Sequence, residues 1–158
     1  MAEKKVEKFA VISSNAEVPV VRKMGVPQSH IVGINQREQL IRSMNTGDVL
    51  CVGSVGYVAR SVEDLVRFLD FLYMKGILFQ TGCEKALCFS QTVALAPAVR
   101  SVLVTIAKKE ADFVGMIRSS RLKEQDQLVL INRIYGEYLA FVCLMFNASN
   151  GVIRQRNL

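Results

Sequence analysis

The first half of the chain alternates between short apolar runs and longer stretches in which apolar residues recur every three or four positions. The apolar runs are rich in β-branched side chains and have the length of buried strands. The four runs are 8–13, 30–34, 48–53 and 77–81. Strands separated by helical stretches predict a mostly parallel sheet with helices packed on its faces.

Two of the helical stretches carry recognisable ends. Residues 35–47 have the pattern of a helix of about three turns that ends before Gly47. Ser61 and Asp64 have the spacing of a helix-start box, in which a hydroxyl and an acidic side chain satisfy amide hydrogens of the first turn. Apolar side chains follow at helical spacing, and Gly76 is placed to end this helix.

A long helix is predicted beyond a loop at 82–93, starting at Pro97 and reaching about Lys123. A helix of this size spans roughly 35–40 Å, which is more than a small sheet needs to cover itself. The apolar part of this helix that the sheet does not need either packs on another subunit, or the helix lies across its own sheet and only its basic end projects.

Residues 124–158 are predicted to form a small helical segment of two or three short helices, following an α/β domain at 1–123. In this prediction "NASNG" is a turn and "GVIRQR" is a last basic helix. Arg154 and Arg156 on that helix would fit a helix-turn-helix in outline. The alternative is a helical extension that closes the core or a dimer.

Composition adds little that is specific. The chain has 158 residues, is 51% hydrophobic and carries a net charge of +6, which indicates one folded domain and is compatible with a nucleic-acid partner. The four cysteines form no CxxC pair and no cluster with histidine, so no metal or other cofactor is expected, and a reducing cytoplasmic location is favoured. The N-terminus has no signal-peptide pattern, and Pro97 and Arg100 interrupt the longest apolar region, so no membrane partner is expected.

The order of these features resembles the catalytic domain of serine recombinases, the resolvase and DNA-invertase family. The stretch "GDVLCVGSVGYVARSVEDLVRFLDFLYMKGILFQTGCE" is similar to the family's Gly-Asp, apolar strand, Asp-Arg-Leu-x-Arg-Ser, helix, glycine and second strand. "FAVISS" looks like the family's first strand, and "RKMGVPQSHIV" like the lead into its second. "VLVTIAKKEADFVGMIRSSRL" looks like the long helix that carries dimerisation and reaches over DNA, with Glu110 matching its usual glutamate. The resemblance covers about residues 8–123.

This resemblance implies a three-layer α/β fold with a mostly parallel sheet of four or five strands, flanking helices and a long C-terminal helix. It also implies a site in which a serine attacks a DNA phosphodiester while arginines neutralise the transition state. Ser13 takes the place of the nucleophile. Arg60 matches the second arginine of the motif, and Arg37 is the candidate for the arginine that opens the next helix.

Several other positions of the implied site depart from the family pattern. Val11 replaces the arginine two before the serine, Gly56-Tyr57 replaces Asp-Arg, and Glu17 replaces a glutamine. The glycine-rich loop that usually precedes the arginine of the next helix is trimmed. Loss of one preorganised donor typically costs about 10²–10³ in rate, so ordinary strand exchange is not expected.

Each candidate also has a simpler interpretation. Ser13, together with Ser14, would cap the short helix that follows, and Arg60 would be a surface or ion-paired arginine. The cations that end the long helix would contact a DNA backbone in the family's docking, or only complement the helix dipole. These cations are Arg118, Arg121 and Lys123.

The sequence therefore predicts a dimeric or higher homo-oligomeric, recombinase-like protein that binds duplex DNA, takes no small-molecule substrate and is weakened or inactive in strand exchange. The alternative is an interaction or oligomerisation module that keeps the fold without binding DNA.

Overall fold

The computed structural model describes residues 5–90 and 94–147 of the chain. Its four strands are β1 (Lys8–Ile12), β2 (Ile31–Gly33), β3 (Val49–Val52) and β4 (Leu78–Thr81). They form one sheet in the order β2-β1-β3-β4, and every strand pair is parallel. The predicted α/β class and mostly parallel sheet are confirmed.

The described residues also form five α-helices, and the third of them begins and ends where the sequence predicts. The Ser61 hydroxyl accepts a hydrogen bond from the Asp64 N–H at 3.0 Å, and Gly76 ends the helix with a left-handed φ of 75°. The helices are α1 (Val18–Lys23), α2 (Arg37–Ser43), α3 (Val62–Lys75), α4 (Pro97–Arg118) and α5 (Glu124–Met145).

The core lies mainly on one face of the sheet. There β3 contributes Leu50 and Val52, and α2, α3, α4 and α5 pack over them. The opposite face carries a small cluster of Ala10 and Cys51 under Val21 of α1. The outer edge of β4 exchanges two hydrogen bonds of 3.0 Å with Phe89.

The long helix ends earlier than predicted, at Arg118 and not near Lys123. Ser120 explains the stop, because its hydroxyl donates to the Ile117 carbonyl and accepts from the Leu122 N–H, at 2.5 and 3.4 Å. Serine hydroxyls of this kind compete with the helical backbone bonds.

The prediction of two or three short helices after residue 124 is wrong over the described part. The segment up to Met145 is one helix of 22 residues that runs through Gly136. A glycine inside a helix costs about 1 kcal/mol relative to alanine, which packing on both sides of it can offset. Most of "NASNG", and the predicted basic helix with Arg154 and Arg156, lie outside the described residues.

Part of α5 belongs to the main core. Leu139 and Val142 are buried against it, which agrees with the alternative of an extension that closes the core. Among the described residues α5 is also the one helix long and apolar enough to cross a membrane, although length and composition alone do not separate such a span from a core helix.

Candidate functional site

The predicted site residues lie around the carboxyl ends of β1 and β3, the two central strands. The chain leaves β1 toward one edge of the sheet and leaves β3 toward the other edge. Open α/β sheets place their ligands in the crevice at such a reversal. Ser13 follows β1 at this position, and a short 3₁₀ turn, Val55–Tyr57, follows β3.

Ser13, the predicted nucleophile, is held by a carboxylate. Its hydroxyl donates to Glu17 Oε2 at 2.8 Å, and its N–H donates to the same oxygen at 2.8 Å. The Ser14 N–H adds a third bond of 2.8 Å, so Glu17 closes the turn that leads into α1. This geometry agrees with the simpler interpretation of the two serines as helix-start residues.

The second oxygen of Glu17 is buried and lacks a hydrogen-bond partner in the described parts of the chain. It points toward the end of β3, since a Cβ built on Gly53 would lie 3.8 Å from it. The side chain of Glu17 is only 5% exposed. A buried carboxyl group is therefore fixed between the ends of the two central strands, beside Ser13.

Arg37, a predicted phosphate-stabilising residue, is held by partners within the fold. Its guanidinium contacts the Asp64 carboxylate through two hydrogen bonds of 3.0 and 3.1 Å and donates to the Val58 carbonyl at 2.5 Å. It also lies over the Phe68 ring, 5.0 Å from the ring centre. The N–H groups with which the Arg37 guanidinium could bind a phosphate already have partners, so Arg37 has little capacity left for one.

Asp64 is the partner that sequence reasoning missed. Burial acts to raise its pKa, but the hydrogen bond from Arg37, the backbone N–H of Arg60 and the charges of both arginines outweigh burial and hold the pKa below its ordinary value. The sequence pattern predicts only that Asp64 helps to begin α3. Its pairing with Arg37 crosses 27 residues, and no local pattern reports such a contact.

Arg60 lies near Arg37. Both line a surface depression of about 370 Å³, together with Asn35, Glu38 and Asp64. The guanidinium of Arg60 is exposed and has no ion-pair partner among the described residues. Because two carboxylates face the two arginines, the depression has no net formal charge, and Ser13 is not among its lining residues.

The Gly56-Tyr57 turn is covered by the end of α5. A Cβ built on Gly56 would lie 3.0 Å from the Cys143 sulfur, so a larger residue at 56 would crowd the end of α5 and require the sulfur to shift by a few tenths of an ångström. Cys143 also lies 3.7 Å from the Ser54 hydroxyl, and burial, its largest influence, raises the pKa of its thiol to about 11. Tyr57 is 53% exposed.

Glu84 ties this turn to the end of β4. It is completely buried, and its carboxylate accepts from the Ser54 hydroxyl at 2.5 Å, from the Thr81 hydroxyl at 2.8 Å and from the Val55 N–H at 3.2 Å. Both carboxylate oxygens are satisfied within the fold. Glu84 therefore has the contacts of a structural group that fixes the corner.

Three of the five predicted DNA contacts lie at or just beyond the C-terminal end of α4. Arg118 is the last residue of that helix, and Arg121 and Lys123 follow in the link to α5. All three are exposed, and none forms an ion pair with a described residue. Glu124 and Asp126 come next, in the first turn of α5.

No protein-family model matches the chain, and the search of curated proteins finds no match. The described residues also contain no group of three or more histidine, cysteine, aspartate or glutamate side chains that could hold a metal. The candidate site is thus an α/β corner with one uncommitted arginine, Arg60, and three fixed carboxylates: Glu17, Asp64 and Glu84.

Proposed function

We propose that the chain is a protein of the serine-recombinase kind that binds duplex DNA as a homodimer and does not carry out ordinary strand exchange. The observation that carries the proposal is the exposed cationic link between α4 and α5, where Arg118, Arg121 and Lys123 have no ion-pair partners among the described residues. Exposed cations without ion-pair partners at the end of a helix suit contacts to a phosphate backbone.

The contacts of the corner support the loss of catalysis. Arg37 is neutralised by Asp64, and Ser13 donates to Glu17, whose charge opposes an incoming phosphodiester. Phosphoryl transfer depends on positioned cations around the phosphorus, and of the two arginines described at the corner Arg60 alone remains available.

Titration of a labelled DNA duplex with the protein at increasing salt concentration tests the DNA-binding half of the proposal. We expect binding at low salt and an affinity that falls steeply as salt rises, because phosphate contacts release counterions. Absence of binding at low salt would remove the proposal.

Incubation with nicked and supercoiled DNA, followed by electrophoresis under denaturing conditions, tests the catalytic half. We expect no covalent protein–DNA adduct, with Ser13→Ala indistinguishable from the unmodified protein. An adduct that disappears in Ser13→Ala would show an active recombinase.

A second function, a protein-interaction module that binds no DNA, is favoured by the apolar side chains that α4 and α5 leave uncovered. Phe113 and Met116 of α4 are 46% and 68% exposed, and Val129 of α5 is 68% exposed. Exposed apolar groups in this number are typical of interaction surfaces. The same DNA titration separates the two functions, since the module would not bind at any salt concentration.

A further inference from the structure

Helix α5 carries two lines of side chains, each with alternating spacings of four and three residues. The inner line consists of Ile131, Tyr135, Tyr138, Val142 and Met145, all of them buried or partly buried, and Tyr138 and Val142 pack in the main core. The second line, which we call the outer stripe, consists of Leu130, Ile134, Glu137, Phe141 and Leu144. Spacings of four and three are those of a helix seam that packs against another helix.

The outer stripe is largely uncovered. Phe141 is 51% exposed and Leu144 is 62% exposed, while Leu130 and Ile134 are partly buried. A second seam beside one that is already packed indicates that α5 has a partner on each side.

We propose that the outer stripe packs against the outer stripe of a second copy of this chain. The charges on this side of α5 complement themselves. Arg133 and Glu137 are both exposed, at 72% and 66% of their side chains, and form an ion pair with each other one turn apart within α5, with 3.6 Å between Nε and Oε1. If two α5 helices pair antiparallel about a twofold axis that crosses the outer stripe midway between Arg133 and Glu137, Arg133 also faces the partner's Glu137, and the contact occurs twice.

A lipid bilayer would suit the same stripe less well. Arg133 and Glu137 would lie in the middle of the apolar region, where charged side chains cost free energy. Crossing a membrane would also withdraw Leu139 and Val142 from the core and Cys143 from Ser54.

This inference shares with the proposed function only the expectation of a dimer, which it places on α5. DNA affinity is measured separately, so a failure of DNA binding leaves the self-association result intact, and the reverse also holds.

Charge reversal tests the pairing by sedimentation velocity over a range of protein concentrations. We expect the unmodified chain to self-associate. Arg133→Glu alone and Glu137→Arg alone should each weaken self-association about tenfold or more, because like charges then meet across the twofold axis. An equimolar mixture of the two variants should form heterodimers that neither variant forms alone. Phe141→Glu is a second variant and should abolish self-association.

Arg67→Glu is the matched control, because Arg67 and Glu63 form an exposed ion pair with the same spacing on α3. It should leave self-association unchanged. An unmodified chain that stays monomeric up to tens of micromolar, or mixed variants that fail to associate, would overturn the proposal. Flotation of the unmodified chain with phosphatidylglycerol vesicles without self-association would also overturn it, and would assign the stripe to a membrane.

Discussion

At the scale of single residues, Asp64 determines the character of the corner. Its carboxylate accepts two hydrogen bonds from Arg37 and one from the Arg60 N–H, at 2.9 Å. The arginine that the resemblance assigns to phosphate is thereby committed to holding α2 against α3. A substitution of Asp64 should therefore affect the free energy of unfolding more directly than any activity.

We expect Asp64→Asn to lower the free energy of unfolding by about 2 kcal/mol at neutral pH, since it replaces charge-assisted hydrogen bonds. The pKa of Asp64 is lowered in the folded chain, so its contribution is present above the ordinary value of 3.8 and is lost as the pH falls through the folded-state value. The difference between variant and unmodified chain should thus shrink below pH 3.8. Urea denaturation at several pH values measures it.

Asp70→Asn is the control, because the pair between Asp70 and Arg100 is exposed and should contribute less than about 1 kcal/mol. Equal losses in the two variants, or a loss at Asp64 that does not change with pH, would contradict the assignment.

At the scale of elements, α4 and α5 each supply a side chain that secures the fold near the corner. Glu110 of α4 is 1% exposed and accepts from the N–H groups of Val62 and Glu63, at 2.9 and 3.3 Å, which satisfies the first turn of α3. Cys143 of α5 packs against Gly56. The C-terminal helices are therefore part of the α/β unit.

The loss of stability on substituting Glu110 should depend on whether the new side chain keeps a hydrogen-bond acceptor. Glu110→Ala leaves two amide hydrogens without an acceptor and should cost about 2 kcal/mol more than Glu110→Gln at neutral pH.

Burial raises the pKa of Glu110 despite the opposing amide hydrogen bonds. The unmodified chain should therefore gain stability relative to Glu110→Gln as the pH falls toward 4.5 and below. Thermal denaturation at two pH values is the measurement, and equal stability of the two variants would contradict the contact.

The same substitution, glycine to alanine, at two positions tests whether α5 packs on the Gly56-Tyr57 turn. Gly56→Ala places a Cβ 3.0 Å from the Cys143 sulfur and should destabilise the chain by about 1–3 kcal/mol. Gly136→Ala adds a methyl group at a helical position with nothing within 4 Å and should stabilise the chain by up to about 1 kcal/mol. Chemical denaturation of both variants checks the two signs, and a stabilising Gly56→Ala would mean that α5 does not rest on this turn.

At the scale of the whole molecule, the sequence predicts the sheet well and the site only in part. The four strands follow from continuous apolar runs, and α3 follows from Ser61 and Gly76, because these signals are local. The contact between Gly56 and Cys143 joins residues far apart in sequence, and so does the one between Arg37 and Asp64. Contacts between residues so far apart produce no periodic pattern in the sequence. The sequence does not predict the continuity of α5, because Gly136 in its interior resembles a helix end.

The most direct test of the central claim is the slope of log affinity against log salt concentration for duplex DNA, compared among the unmodified chain, Arg121→Ala and Lys23→Ala. The two variants lose the same charge, but Arg121 lies in the α4–α5 link and Lys23 lies at the end of α1. We predict that Arg121→Ala reduces the slope by about 1.8, the value of two phosphate contacts, one from each subunit of the homodimer, and that Lys23→Ala leaves it unchanged. Equal slopes in all three proteins, or no measurable binding, would contradict DNA binding through the α4–α5 link.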